Sequence, residues 1–194
     1  GLLDGLNRWF RSPSNDSPCF DPLCFVGPNG SGKSQFLQVL AEMFQSILHE
    51  AVPDEERFEG NPDLQFELEY LIRPVGAKNV RHVRVSKLSE GKHRPTIKMQ
   101  LKFEDGWKDC DLNSQDARAL LPQKIVGYTS GGNETLSLPF LVSRSGYADE
   151  VGKQALSDTM QGQSIPDTRL MLIDYGTHLE VLVANLLLGN NKQR

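Results

Sequence analysis

Residues 27–34 form a glycine-rich segment that constrains the fold of this chain more than any other part of its sequence. They read Gly-Pro-Asn-Gly-Ser-Gly-Lys-Ser and match the phosphate-binding loop pattern G-x-x-x-x-G-K-[ST] at every position. The glycines permit a tight turn whose backbone N–H groups point toward phosphate oxygens. In this pattern Lys33 neutralises the β- and γ-phosphates, and the Ser34 hydroxyl binds Mg²⁺. The segment therefore predicts a nucleoside triphosphate site, with contacts from Pro28, Asn29, Gly30, Ser31, Gly32, Lys33, Ser34 and Gln35.

The sequences on either side of this loop supply the context that the pattern requires. Leu23-Cys24-Phe25-Val26 is a short apolar run typical of a buried strand. After the loop, apolar residues recur at helical spacing from Phe36 to Leu48. The order strand, loop, helix places a helix N-terminus beneath the phosphates. We therefore expect a strand and a helix over residues 23–50, against the alternative of a glycine-rich turn that merely ends in Lys-Ser.

Composition limits the class of protein and its surroundings. The 194 residues suffice for one domain, and the absence of an initiator Met predicts that this domain, over residues 1–194, is incomplete. The net charge of −4 gives the average surface no preference for nucleic acid. No run of about 18 apolar residues and no secretory signal is present, so we expect a cytoplasmic protein without membrane contact. The three cysteines, Cys19, Cys24 and Cys110, are expected to be reduced.

The rest of the chain divides into segments of different periodicity. Residues 1–22 are predicted to be an amino-terminal edge segment, in which Leu2, Leu3, Leu6, Trp9 and Phe10 could form a strand. Apolar and polar residues then alternate over 64–72, 80–85 and 96–103, which predicts an antiparallel meander within residues 64–103. Residues 123–194 read as a second strand and helix part. It has strands at 124–128 and 169–174, a loop or weak helix at 147–163 and a helix at 178–188.

The meander also contains the most basic stretch of the chain. Its cationic side chains are Arg81, Arg84, Lys87, Lys92, Arg94, Lys98 and Lys102, with His93 between them. Such a stretch is either a solvated face or a surface that meets an acidic partner such as DNA. The sequence alone leaves both interpretations open.

With these segments in view, the chain resembles ATPase heads of the ABC/SMC type. Pro-Asn-Gly inside the loop is common in that superfamily, and the meander after the first helix is similar to its lobe I. Three stretches, 20–27, 124–140 and 170–188, more narrowly resemble the AAA ATPases associated with bacterial restriction systems. The resemblance implies an α/β P-loop NTPase fold (ABC/SMC-like lobe I) with an antiparallel β insert after the first helix. It also implies ATP and Mg²⁺ as ligands, a homodimer across the ATP site, and a nuclease and DNA as partners.

The resemblance points to two further candidates for the metal. Asp174 follows four apolar residues, as the Mg²⁺-orienting acid of such ATPases does, and is a candidate catalytic residue beside Lys33; the alternative is a strand-end acid that caps the next helix. Ser130 lies in Thr129-Ser130-Gly131-Gly132. This run corresponds to the loop that contacts the γ-phosphate and Mg²⁺, to a signature sequence, or to an ordinary turn.

Other parts of an ABC-type site depart from the pattern. Tyr175 stands where the resemblance calls for a catalytic Glu, and His178 is either a γ-phosphate switch or a helix-start histidine. The side chains proposed to recognise adenine are Trp9, Phe10 and Phe20. We therefore expect ATP binding, with hydrolysis that requires a signature and a catalytic Glu from outside these residues. The alternatives are a small P-loop kinase and a nucleotide-regulated interaction module without turnover.

Overall fold

A computed structural model describes residues 4–10, 22–91, 93–156 and 164–188, and shows a mixed α/β architecture. A long first helix precedes an antiparallel sheet, and two further strands and helices follow. The elements in chain order are α1 (Lys33–Ala51), β1 (Phe66–Ile72), β2 (Arg81–Leu88), β3 (Thr96–Phe103), β4 (Gly106–Cys110), α2 (Gln115–Ala119), β5 (Ile125–Tyr128), α3 (Glu134–Ala155), β6 (Leu170–Ile173) and α4 (Tyr175–Leu188).

The meander predicted after the first helix is confirmed as an antiparallel sheet with the strand order β1-β2-β3-β4. Tyr70 pairs with Val83, which pairs with Leu101, so alternate residues of neighbouring strands share one face. That face lies on the core, where Val83 and Val85 are fully buried. The strand β4 was not predicted, because its sequence Gly-Trp-Lys-Asp-Cys does not alternate apolar and polar residues. Gly106, with φ +126°, closes the turn that leads into it.

The second sheet is a parallel pair formed by β5 and β6, in which Tyr128 pairs with Ile173. Both strands agree with the sequence prediction. α3 connects them and packs against the pair, which is possible because Gly127 has no side chain where the ring of Phe140 approaches. α4 begins at Tyr175, three residues before the predicted start, because Asp174 caps its first turn.

α1 lies between the antiparallel sheet and α3. Its residues Ile47 and Leu48 are fully buried, and the ring of Phe44 contacts that of Tyr70, with centroids 5.8 Å apart. On the opposite side, the buried Gln45 side chain donates hydrogen bonds to the Pro139 carbonyl (3.2 Å) and the Ser143 hydroxyl (2.9 Å) of α3. α1 and α3 therefore run in the same direction, with their N-termini close together.

Two strand predictions near the amino terminus are wrong for the described residues. Residues 22–28 and 4–10 contain no strand, and Val26 is 91% exposed. Apolar composition favours a strand, but a strand also requires a hydrogen-bonded neighbour. The described sheets contain only β1 to β4 and the β5–β6 pair. Neither sheet therefore pairs with residues 4–10 or with residues 22–28. Leu2 and Leu3 lie outside the described residues.

The sequence did not predict the first part of α3, residues 134–146. Residues 147–155, predicted as loop or weak helix, belong to it, and residues 157–163 lie outside the described ranges. Its apolar residues do not form a clear stripe, and it contains Pro139. Small side chains bury it instead: a Cβ at Gly146 would lie 2.8 Å from the ring of Phe58, so glycine permits this close approach. Such packing has no periodic signal in the sequence.

Candidate functional site

The glycine-rich loop adopts a conformation that requires its glycines. Gly30 and Gly32 have φ values of +82° and +84°, in the left-handed region that glycine adopts without strain. The Ser31 N–H donates to the Pro28 carbonyl (3.3 Å) and closes a turn. A Cβ at Gly27 would lie 2.9 Å from the Ser31 hydroxyl oxygen. The backbone therefore folds compactly immediately before α1, and larger residues at these positions would open it.

Lys33 is the first residue of α1, and its side chain folds back over the loop. Its ammonium group donates to the carbonyls of Gly27 (2.7 Å) and Pro28 (2.8 Å) and contacts the Ser31 hydroxyl (3.3 Å). An ammonium group has three hydrogens, which matches these three acceptors. The arrangement keeps a positive charge beside the loop backbone.

The N-terminus of α1 differs from those of the other helices in the described ranges. Side chains cap α2, α3 and α4: Ser114 accepts from Ala117, Asn133 from Leu136 and Asp174 from Thr177. By contrast, the N-cap of α1 is glycine, and the described side chains neither cap it nor place an acid in its first turn. The first N–H groups of α1 and the positive end of its dipole are thus left for another acceptor.

A side chain from a distant part of the chain contacts this helix start. The amide Nδ2 of Asn133 donates to the Ser34 hydroxyl at 3.2 Å, and its Oδ1 accepts from the Leu136 N–H at 3.1 Å. One amide therefore joins the first turns of α1 and α3. No local pattern pairs Asn133 with Ser34, because 99 residues separate them. An Asn directly before Glu134 is, however, a signal for a helix N-cap.

The segment that precedes Asn133 is a turn at the carboxyl end of β5. The Thr129 N–H donates to the Ile173 carbonyl (3.0 Å), and the Thr129 hydroxyl donates to the Gly131 carbonyl (2.7 Å). Ser130 is exposed in this turn. The segment does lead to the glycine-rich loop, but the side chain that bonds Ser34 is Asn133, three residues after the predicted Ser130.

Asp174 lies at the carboxyl end of β6, the same edge of the parallel pair as Thr129. Its Oδ1 accepts from the Thr177 N–H (2.9 Å) and hydroxyl (3.0 Å), and its own N–H donates to that hydroxyl. These hydrogen bonds from Thr177 lower the pKa of the Asp174 carboxyl. The structure thus shows the capping role that the sequence had left open. Tyr175 follows with 77% of its surface exposed, and His178 belongs to the first turn of α4.

Three aromatic rings, from the segments before the loop and from α1 after it, pack against one another. Phe25 contacts Phe36 of α1 with ring centroids 4.8 Å apart, and Phe10 lies 6.0 Å and 5.4 Å from these two rings. Trp9, next to this cluster, is 71% exposed. Two of the three adenine candidates, Trp9 and Phe10, therefore lie near the start of α1. Phe20 lies outside the described residues.

Two cations of the basic stretch, Arg84 and Lys98, form ion pairs with acids. The Arg84 guanidinium donates two hydrogen bonds to Glu69, at 2.8 Å and 2.6 Å, and Lys98 bonds Glu90 at 2.6 Å. Arg84 also lies over the ring of Trp107, 4.1 Å from its centroid. These ion pairs neutralise two cations of the basic stretch.

No protein-family model matches the chain, and neither curated proteins nor solved structures match it. Within the residues that the structure describes, no helix is both long and apolar enough to cross a membrane. The same residues contain no cluster of three or more His, Cys, Asp or Glu side chains arranged to hold a metal ion. Function is therefore inferred from the geometry of residues 27–34 and their neighbours.

Proposed function

We propose that this chain binds a magnesium nucleoside triphosphate, ATP, through residues 27–34, as part of an α/β P-loop NTPase fold of the ABC/SMC type. One observation carries the proposal. Among the described helices, α1 alone begins without a side-chain cap, and the loop that precedes it matches the phosphate-binding pattern at every position. A phosphate would accept from the first N–H groups of α1, which no described side chain caps.

The residues present fit this ligand. The positive φ of Gly30 and Gly32 permits a backbone path that aims N–H groups at an anion, and Lys33 adds a cation beside them. The hydroxyl of Ser34 would hold Mg²⁺, since the cation prefers oxygen ligands and shares phosphate oxygens with the protein. Bound Mg²⁺ would neutralise phosphate charge. Asp174, whose carboxylate caps α4, is the candidate for a further oxygen ligand. Pro28 and Asn29 lie within the loop, and Gln35 directly follows it.

Hydrolysis requires, in addition, a group that orients the attacking water. Tyr175 occupies the position after Asp174 and cannot act as a carboxylate base. We therefore propose that this segment binds ATP firmly and turns it over slowly by itself. A second copy across the nucleotide, or further chain, would complete the site. The sequence resemblance further supports a cytoplasmic DNA-defence role with a nuclease partner, which we propose on that basis.

Nucleotide binding by the wild type and Lys33→Ala tests the proposal. Calorimetry with Mg²⁺ and a non-hydrolysable ATP analogue should show a loss of affinity of at least about tenfold in the variant, because a charge-assisted phosphate contact contributes roughly 1.5–3 kcal/mol. Lys78→Ala, an exposed lysine on the loop between β1 and β2, is the matched control and should bind as the wild type does. Equal affinity in Lys33→Ala and wild type would refute the proposal.

Turnover assays separate the alternatives. Phosphate release that rises with protein concentration or on addition of DNA supports an ATPase head that acts as a dimer. Transfer of phosphate to a small-molecule acceptor supports the kinase. Tight binding without phosphate release under any condition supports an interaction module.

A further inference from the structure

Asn133 connects the proposed metal ligand to α3. Its amide nitrogen donates to the Ser34 hydroxyl, and its amide oxygen accepts from the Leu136 N–H. We propose that Asn133 is a positioning residue, which orients the Ser34 hydroxyl for Mg²⁺ and transmits metal occupancy to the first turn of α3. This inference rests on the proposed function of the loop.

The chemistry of a serine hydroxyl explains the orienting role. The oxygen has two lone pairs and one hydrogen, and it rotates freely unless a partner fixes it. The N–H of Asn133 occupies one lone pair of the Ser34 oxygen, and the other remains for a cation. Both residues are half-buried, so competing water is restricted. Without this bond, Ser34 would lose rotamer freedom at the moment of metal binding, which weakens the interaction.

The second hydrogen bond explains the transmission. Asn133 caps α3 through Leu136, and its carbonyl accepts from the N–H and the hydroxyl of Ser137. If cation binding at Ser34 shifts the Asn133 amide, the first turn of α3 therefore shifts with it. Beyond this turn, Gln45 of α1 is hydrogen-bonded to Pro139 and Ser143 of α3. We expect these bonds to confine the shift to the first turn of α3.

The residue type matters because both groups of the amide are used. A serine at position 133 could still cap α3, but its hydroxyl lies one bond nearer the backbone than the amide nitrogen and would not reach Ser34. Asn133→Ser thus removes the contact with Ser34 and retains the cap. Asn133→Thr has the same property and serves as a second variant in case the first is poorly folded.

The test compares wild type, Asn133→Ser, Ser34→Ala and the double variant. Affinity for a fluorescent ATP analogue is measured in EDTA and over a Mg²⁺ titration. We expect Asn133→Ser to reduce the Mg²⁺ enhancement of binding about tenfold, as outer-shell partners of metal ligands do, and to leave the affinity in EDTA unchanged. In the Ser34→Ala background, Asn133→Ser should have no further effect, because the group that it orients is absent.

Hydrogen exchange supplies a readout that a purely structural cap would not change. The amides of residues 134–137 should become more protected on Mg²⁺–nucleotide binding in the wild type and not in Asn133→Ser. If the wild type binds nucleotide and both Asn133 variants retain its full Mg²⁺ enhancement, the role of Asn133 is overturned and the proposed function stands. If the wild type binds no nucleotide, the proposed function is overturned and this inference with it.

Discussion

Gly127 is the position where the packing of α3 on the parallel pair can be tested most directly. A Cβ at this position would lie 2.7 Å and 2.8 Å from two ring carbons of Phe140, and 3.3 Å from a methyl carbon of Leu172. Ordinary carbon contacts are about 3.5–4.0 Å. Gly127→Ala therefore forces the ring of Phe140, which is only 4% exposed, to move by roughly 1 Å.

The expected magnitude combines two opposing effects. Overpacking of a buried site costs about 1–3 kcal/mol. Replacement of glycine by alanine restricts the unfolded chain and stabilises by about 0.4–1 kcal/mol. The free energy of unfolding should therefore fall by about 1–2 kcal/mol, because the clash involves a rigid ring and not the end of a flexible side chain. For a chain of this size, the midpoint of thermal unfolding should fall by roughly 2–8 °C.

Urea unfolding followed by circular dichroism measures this change. The matched control is Gly131→Ala, in the turn after the same strand, where an added Cβ would meet nothing within 4 Å. Its free energy of unfolding should equal that of the wild type or exceed it by up to about 1 kcal/mol, because the restriction of the unfolded chain acts there without a clash. Phe140→Leu, combined with Gly127→Ala, should recover part of the loss, because the smaller side chain can shift. The double-mutant cycle should give a coupling of about 0.5 kcal/mol or more.

Wild-type stability in Gly127→Ala, with no coupling to Phe140, would refute the reasoning. α3 would then not approach β5 as described, and the route by which Asn133 reaches Ser34 would lose its support.

Two buried ionisable groups give opposite pH dependences. Burial raises the pKa of Glu56, whose carboxyl accepts a hydrogen bond from Ser143 at 2.6 Å. The protonated form of Glu56 stabilises the folded protein fully below the ordinary pKa of 4.5. This contribution to stability is lost as pH rises through the higher pKa of the folded state. Relative to Glu56→Gln, the wild type should therefore lose stability as pH rises, and parallel urea midpoints across pH would contradict this. Burial lowers the pKa of Lys87, so the wild type should gain stability relative to Lys87→Met as pH rises toward 10.5. Denaturant titrations from neutral to alkaline pH check this expectation, and a constant difference would refute it.

Local sequence was sufficient for the elements whose signals are local. The apolar spacing from Phe36 to Leu48 predicts α1, and the loop residues before it indicate where it begins. Alternation predicts β1, β2 and β3, because one face of that sheet is buried and the other exposed. The apolar runs of β5 and β6 are also apparent. In each case the periodicity that predicts the element lies within the element's own residues.

Tertiary structure decided what depends on residues far apart in the chain. Leu23-Cys24-Phe25-Val26 has the composition of a strand, yet it forms none, since strand formation requires a paired neighbour as well as propensity. The burial of α3 depends on Gly127 and Gly146, whose role is visible only once Phe140 and Phe58 approach them.

The same distinction applies to the candidate site. The sequence determined the loop over residues 27–34 by itself, because its glycines, Lys33 and Ser34 act on their own backbone and on the helix that follows. Only folding brought Asn133 to Ser34 and showed that Asp174 caps α4. A hydrogen bond across 99 residues leaves no local pattern, since it depends on how α1, α3 and the parallel pair pack together.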